Sequence, residues 1–325
     1  MSANLIRRAI LAGLFACSLP FCVQAQSDFP NKAVRIVVPF PAGGSLDNVG
    51  RQIGQKLAEL WGQSVLIDNR PGGAAVIGTN VVAKAAPDGY TLLLMANGFV
   101  MVPMLMASAP YDPFKDFVPV SLLARVNQAL VAPPGFPPNN LRELIAEAKA
   151  HPGQLTFASF GNGTSSHLGV ELFKQEAGIN MTHVPYKGVA PALQDTLGGQ
   201  VNVFLTNLPE ILPHIQAGKL KVLGVADEKR AAQLPAAATF AEQGFPGFNV
   251  YSWYGMVAPA GTPAAIVEKL HASVTQVLKA PDVAARMTQQ GLTILAAGPD
   301  DFRRFMQEEQ ARYVAPIRIS GAKID

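Results

Sequence analysis

The chain is poor in cysteine and in charge. Of its 325 residues only Cys17 and Cys22 are cysteine, and both lie in a leader-like N-terminus. Beyond residue 25 there is no thiol, which excludes disulfides and thiol chemistry there. Charged residues make up 15% of the chain and the formal net charge is +3, a balance that excludes a strongly basic nucleic-acid-binding surface. No apolar run after the leader suggests a membrane span, and no internal repeat is visible. Catalytic signatures are missing too. There is no Gly-x-Ser-x-Gly elbow, since the last position around Ser45 is Asp47. There is no phosphate loop with its Lys-Ser/Thr pair and no dinucleotide fingerprint. His151, His167, His183, His214 and His271 show no metal-ligand spacing. A hydrolase built from Ser165, His167 and Asp47 can be assembled only on paper. The reading is therefore of a protein that is not an enzyme, with no catalytic residue, no metal and no cofactor.

What is present begins with a processing signal. Arg7 and Arg8 precede a short apolar stretch interrupted by Pro20, and Val23-Gln-Ala25 has the small-residue pattern for cleavage after Ala25. Ordinary secretion is expected: the residues flanking the arginine pair fit a twin-arginine route poorly, and Phe15 spoils a lipoprotein box ending at Cys17. Cleavage removes both arginines and no acid, which lowers the net charge further.

A mature chain of residues 26–325 exceeds one typical core, so two domains are expected. The 29 glycines and 26 prolines are spread along it and punctuate many short elements. Strands and helices alternate, which predicts an α/β fold with largely parallel sheets. Separate extended segments are expected at 118–123 and 129–132, with a stiff proline-rich connector at 133–138 and another extended segment at 251–258. Asn140 is placed to cap a helix over 141–150. One domain takes residues 26–127 plus 253–325, the other 128–252. Two crossing segments then form a hinge, and the site lies in the cleft beyond the strand ends.

Two loops stand out. Pro39-Phe-Pro-Ala-Gly-Gly-Ser-Leu-Asp47 joins a strand to a helix, and paired glycines at a helix start turn main-chain N–H groups toward an anion. Ala158-Ser-Phe-Gly-Asn-Gly-Thr-Ser-Ser166 repeats the arrangement. Facing each other, the two could hold a small carboxylate. Ser45 is either a helix cap or a ligand donor. Asp47 has Arg51 one turn on, so an internal ion pair is the plainer expectation; meeting a ligand amine or orienting the loop are the alternatives. Trp253 and Tyr254 on the return crossing are expected to pack, with ligand stacking the alternative.

The residues resemble the Bug family, extracytoplasmic solute receptors of tripartite tricarboxylate transporters. The resemblance rests on the two loops above and on Asp68-Asn-Arg-Pro-Gly72, Ala86-Pro-Asp-Gly-Tyr90, Tyr111-Asp-Pro-Phe-Lys-Asp-Phe-Val-Pro-Val120, His183-Val-Pro-Tyr-Lys-Gly188, the 208–219 segment and the 252–263 segment, in order along the mature chain. It implies a two-domain periplasmic binding protein of type II-like, Venus flytrap form that closes on a small carboxylate, held largely by main chain and water between two loops. Transferred to this chain, the ligand-binding set is Phe40, Ala42, Gly43, Gly44, Ser45 and Asp47 on one side. On the other it is Ser159, Gly161, Gly163, Thr164, Ser165, Thr206 and Asn207. Many relatives have Asp-Asn where this chain has Thr206-Asn207, so a preference for a ligand amine is weakened. Phe99, Val100, Met101 and Met104 are more apolar than in many relatives; they are core or an apolar ligand wall. The implied partners are membrane transporter subunits, with no nucleic acid, and the receptor is expected to work as a periplasmic monomer. The other function in the binding class is a sensor that docks on a signalling receptor.

Overall fold

The computed structural model describes residues 29–324; the leader read at 1–25 lies outside the described residues. Among the described residues ten strands form one winding sheet in the order β2 (Val65–Asn69), β1 (Val34–Val38), β3 (Thr91–Ala96), β9 (Tyr251–Pro259), β4 (Phe117–Ala132), β7 (Val203–Asn207), β5 (Thr156–Ser159), β6 (Thr182–Pro185), with β8 (Lys221–Val225) and β10 (Leu292–Ala297) also paired to β4. The first lobe starts with β1 (Val34–Val38), α1 (Ser45–Trp61), β2 (Val65–Asn69), α2 (Val76–Ala83), β3 (Thr91–Ala96) and α3 (Gly98–Leu105). β1 reads Val-Arg-Ile-Val-Val, and a β-branched run of this kind suits a parallel strand covered on both faces. It pairs in parallel with β2 and β3. α1 places Leu46, Val49, Ile53 and Leu57 on one buried stripe and stops at Gly62, whose φ of 65° is the left-handed conformation of a helix end.

β4 (Phe117–Ala132) is the axis of the molecule. Its first part pairs antiparallel with β9 (Tyr251–Pro259), and its end pairs with β7 (Val203–Asn207) and β8 (Lys221–Val225) of the second lobe. The two extended segments expected at 118–123 and 129–132 are thus one strand of 16 residues. Polar residues conceal its middle in the sequence. Arg125 reaches sideways to Asp227 and Asn249, 2.7 Å each, and lies over the Tyr251 ring. Gln128 is fully buried and spends its amide on Ser165, Asn207 and Ser252. Because β4 and β9 run against their neighbours, the sheet is mixed, not largely parallel: β3–β9, β4–β9, β4–β7, β4–β8 and β4–β10 are antiparallel.

Between these crossings the second lobe holds α4 (Leu141–Ala150), β5 (Thr156–Ser159), α5 (Ser165–Ala177), β6 (Thr182–Pro185), α6 (Val189–Leu197), β7, α7 (Leu208–Gln216) and β8. Asn140 caps α4 as expected, accepting the Glu143 N–H at 2.9 Å. After β9 the chain returns to the first lobe through α8 (Ala264–Lys279), α9 (Pro281–Gln289), β10 (Leu292–Ala297) and α10 (Pro299–Ser320). Three of the four apolar clusters lie within one lobe, and the fourth, around Phe99, Phe117 and Phe302, also takes in Leu168 of α5. Phe99, Val100 and Met101 belong to the first-lobe core with Phe117 and Tyr111. No helix among the described residues is long and apolar enough to cross a membrane.

Gly255 on β9 shows how tightly α10 is seated. A Cβ at this position would fall inside the Phe302 ring, and Phe302 is completely buried. Gly255→Ala is expected to overpack this contact and cost about 1–3 kcal/mol, measured as a lower denaturant midpoint; an unchanged midpoint would show that α10 yields freely.

Candidate functional site

Three helices begin at one place. α1, α6 and α7 all start on the wall of a cavity of about 240 Å³ that lies between the lobes. The first four N–H groups of a helix have no intrahelical acceptor, and the helix dipole adds positive potential there. The cavity therefore collects positive main-chain ends.

On the first-lobe side the wall is the 40–47 loop, with Ala96, Ser252 and Tyr254. Phe40, Ala42, Gly43, Gly44, Ser45 and Asp47, all expected from the sequence, line it. Gly43 sits at φ 90°, a conformation that favours glycine. Gly44, not Ser45, is the cap residue of α1. Ser45 instead pairs its hydroxyl with the Tyr254 hydroxyl. Asp47 is buried and fully occupied. It accepts from Gly43 N at 2.9 Å, Arg51 Nε at 2.9 Å and Asn69 Nδ2 at 3.0 Å. Burial pushes its carboxyl up, but the hydrogen bonds from Arg51, Gly43 and Asn69 together hold it below the usual range. It ties the loop to the helix as an internal ion pair. Among the described residues the Gly44 N–H finds no backbone acceptor.

The opposite wall differs from the expectation. Phe160, Lys187, Gly188, Val189, Ala190, Pro191 and Leu193 form it, with Asn207 and Glu210 at its base. Gly188, at φ 112°, lies against Pro41 across the mouth. Of the second-side residues named from the sequence, only Asn207 lines the cavity. Ser159, Gly161, Gly163, Thr164, Ser165 and Thr206 stand behind the wall, because their polar groups are used within the second lobe and at the crossing. Ser159 Oγ is 2.7 Å from His183 Nε2. Thr164 caps α5, and its hydroxyl donates to the Gly161 carbonyl at 2.7 Å. Gly163 donates to His167 Nδ1, and a Cβ there would press into Leu105. Ser165 takes the Gln128 amide at 2.9 Å. Thr206 is fully buried in β7.

The paper hydrolase is not assembled: Ser165, His167 and Asp47 are each bonded to other groups. The 97–104 segment is no ligand wall either. Phe99, Val100 and Met101 are core, and Met104 lines a separate hollow with Pro103 and Tyr111. The apolar lining of the cavity comes from Phe40, Phe160, Val189 and Leu193 instead. Trp253 packs behind, on Phe302 and Phe305, and donates to Glu309 at 2.9 Å. Tyr254 alone of the aromatic pair reaches the cavity.

Sequence reading missed Glu210, the third residue of α7. Its Oε1 accepts from Ser45 N at 3.3 Å across the cleft and from Asn207 Nδ2 at 3.4 Å. Burial raises its carboxyl above the usual range, against the lowering hydrogen bonds from Ser45 and Asn207. An acid at this position of a helix reads in sequence as ordinary dipole compensation.

Residues 49–321 match the family described as the tripartite tricarboxylate transporter family receptor. Protein BugT of Bordetella pertussis is 36% identical over 324 residues, covering 99% of both chains. The structure of the periplasmic binding protein BugD is 36% identical with a TM-score of 0.85, over 91% of this chain and 99% of that one. The R. palustris protein Rpa4515, solved with adipate, is 36% identical with a TM-score of 0.87, again over 91% and 99%.

Behind the wall, His167 and His183 stack face to face, 4.0 Å between ring centroids. Burial lowers His167 to about 4, with Lys174 adding to the effect. Burial, His167 and Lys174 lower His183 to about 3. Both rings are thus neutral in the folded protein at pH values where an unfolded histidine is charged. Their contribution is complete above about pH 6.5 and is lost as pH falls from there toward 4 and 3. Stability is expected to fall over that window, and His183→Phe, which stacks without ionising, should lose less of it; equal losses in denaturant titrations at pH 7 and pH 4.5 would contradict this.

Proposed function

The chain belongs to the tripartite tricarboxylate transporter receptor family, a solute-binding protein of the two-domain periplasmic type, and from that premise we propose that it captures a small carboxylate between its lobes and delivers it to membrane transporter subunits. The observation that carries this reading is the convergence of α1, α6 and α7 on one cavity that has glycine at two of the three helix starts. Main-chain N–H groups at helix starts recognise an anion without a dedicated arginine. The apolar remainder of the lining, with Phe40 and Phe160, suits a carboxylate with an aliphatic or aromatic body.

In this proposal residues 26–127 with 253–325 form one moving body and 128–252 the other, hinged where β4 and β9 pass between them. The contact set is Phe40, Ala42, Gly43, Gly44, Ser45, Asn207 and the main chain at Val189 and Ala190, with Asp47 fixing the 40–47 loop rather than meeting the ligand. Ser159, Gly161, Gly163, Thr164, Ser165 and Thr206 hold the second lobe's loops in place behind it. Ligand shifts the open–closed equilibrium by its greater affinity for the closed form. The protein acts in the periplasm, after removal of residues 1–25, as a monomer and without catalysis.

A thermal-shift panel of aliphatic di- and tricarboxylates, acidic amino acids and benzoate- or phthalate-type acids tests the reading on residues 26–325. An acid at about 100 times its Kd adds about 2.7 kcal/mol of stability. Gly44→Val supplies the control. Gly44 has φ −76° and open space around a Cβ, so the variant should fold normally while its side chain fills the cradle. Loss of the shift in Gly44→Val supports main-chain anion capture; a shift of equal size in both proteins would place the ligand elsewhere.

A further inference from the structure

Glu210 has an oxygen that the protein does not use. Oε1 accepts from Ser45 N at 3.3 Å and Asn207 Nδ2 at 3.4 Å, whereas Oε2 is enclosed with no hydrogen-bond partner in the protein. The residue lines the cavity, beside the start of α1. A buried acceptor without a donor is unfavourable unless a ligand supplies one. The neighbourhood limits what the ligand can be. Oε1 already sits on Ser45 N, so a ligand carboxylate held by the 43–46 main chain lies next to Glu210. Two bare carboxylates side by side repel. A hydrogen-bond donor carried close to the ligand's carboxylate resolves both problems, because it satisfies Oε2 and stands between the two anions. Asp47 cannot substitute for Glu210 in this role, since its oxygens are taken by Gly43, Arg51 and Asn69.

We propose that Glu210 sets ligand specificity: its Oε2 accepts a hydrogen bond from an O–H or N–H donor on the carbon next to the bound carboxylate, so the preferred ligand is a 2-hydroxy or 2-amino acid with an apolar body. This rests on the carboxylate-receptor reading above and narrows it. A second carboxylate on that same carbon is disfavoured. Asn207 assists by donating to Oε1, which leaves Oε2 as the oxygen without a protein partner.

Two matched series test the inference by titration calorimetry on residues 26–325. The aliphatic series is hexanoate, 2-hydroxyhexanoate, 2-aminohexanoate and butylmalonate. The aryl series is phenylacetate, mandelate, phenylglycine and phenylmalonate. Within each series only the substituent beside the carboxylate changes. In at least one series the hydroxy or amino member should bind at least about tenfold tighter than the unsubstituted acid, with the malonate weakest. Comparing the hydroxy and amino members identifies the donor. In Glu210→Gln the amide oxygen keeps the Ser45 and Asn207 donors and the NH₂ group faces the ligand. That variant should lose the preference for a donor, bind the malonate more tightly than the wild type does, and still bind the unsubstituted acid. Equal affinity of substituted and unsubstituted acids for the wild type, or an unchanged ratio in Glu210→Gln, overturns the role of Glu210 and leaves the carboxylate reading standing. Absence of binding by every acid in both series overturns the two together.

Discussion

Helix starts must be satisfied from outside the helix, and three of them in this protein end on one cavity. That requirement organises the site. The N–H groups at the beginning of α1 are shared between an internal acceptor, Glu210 on Ser45 N, and open space. Asp47 turns back to hold Gly43 N at 2.9 Å, so the loop is fixed by its own helix before any ligand arrives. Preorganised donors of this kind lower the ordering cost of binding. The positive ends of α6 and α7 face the same volume, and the dipole contributions add where water is excluded.

The same arrangement makes the site divisible. The α1 start belongs to one lobe, the α6 and α7 starts to the other, and only β4 and β9 pass between them in the sheet. Gln128 stands at that passage, fully buried, with its amide bonded to Ser165, Asn207 and Ser252. A polar network in a crossing is directional, whereas apolar packing is not, so it specifies one register of the lobes. Polar contacts at the cavity that cross the cleft are Ser45 N with Glu210 and Asn207 with Tyr254 at 3.4 Å. Groups of this kind can exchange protein partners for ligand or water, which suits opening.

Much of this was legible in the sequence because it depended on local rules. Alternating apolar runs, Asn140 as a cap and the glycine pair before α1 are signals that neighbouring residues do not overturn. Residues 40–47, which carry that signal, line the cavity. The opposite wall was misplaced because the 159–165 loop has the same local chemistry but a different environment. Leu105 fills the space beside Gly163, and His167, His183 and Gln128 take its polar groups. Only tertiary packing decides which of two similar loops faces a cleft. The 187–191 segment and Glu210 carry no local signal of a site, since Glu210 reads as an acid where a helix dipole favours one. β4 was read as two segments because Arg125 and Gln128 interrupt its apolar pattern, and their partners lie 37 to 124 positions away.

The central claim is that main-chain N–H groups at converging helix starts recognise the ligand. The most direct measurement is a backbone amide NMR titration of deuterated residues 26–325 with the panel acid giving the largest thermal shift. The account predicts that the largest amide shifts cluster at Gly43, Gly44, Ser45, Leu46, Val189 and Ala190. Largest shifts at Gly161, Gly163 and Ser165, or on a surface away from the cavity, with the 43–46 and 189–190 amides unmoved, would contradict it.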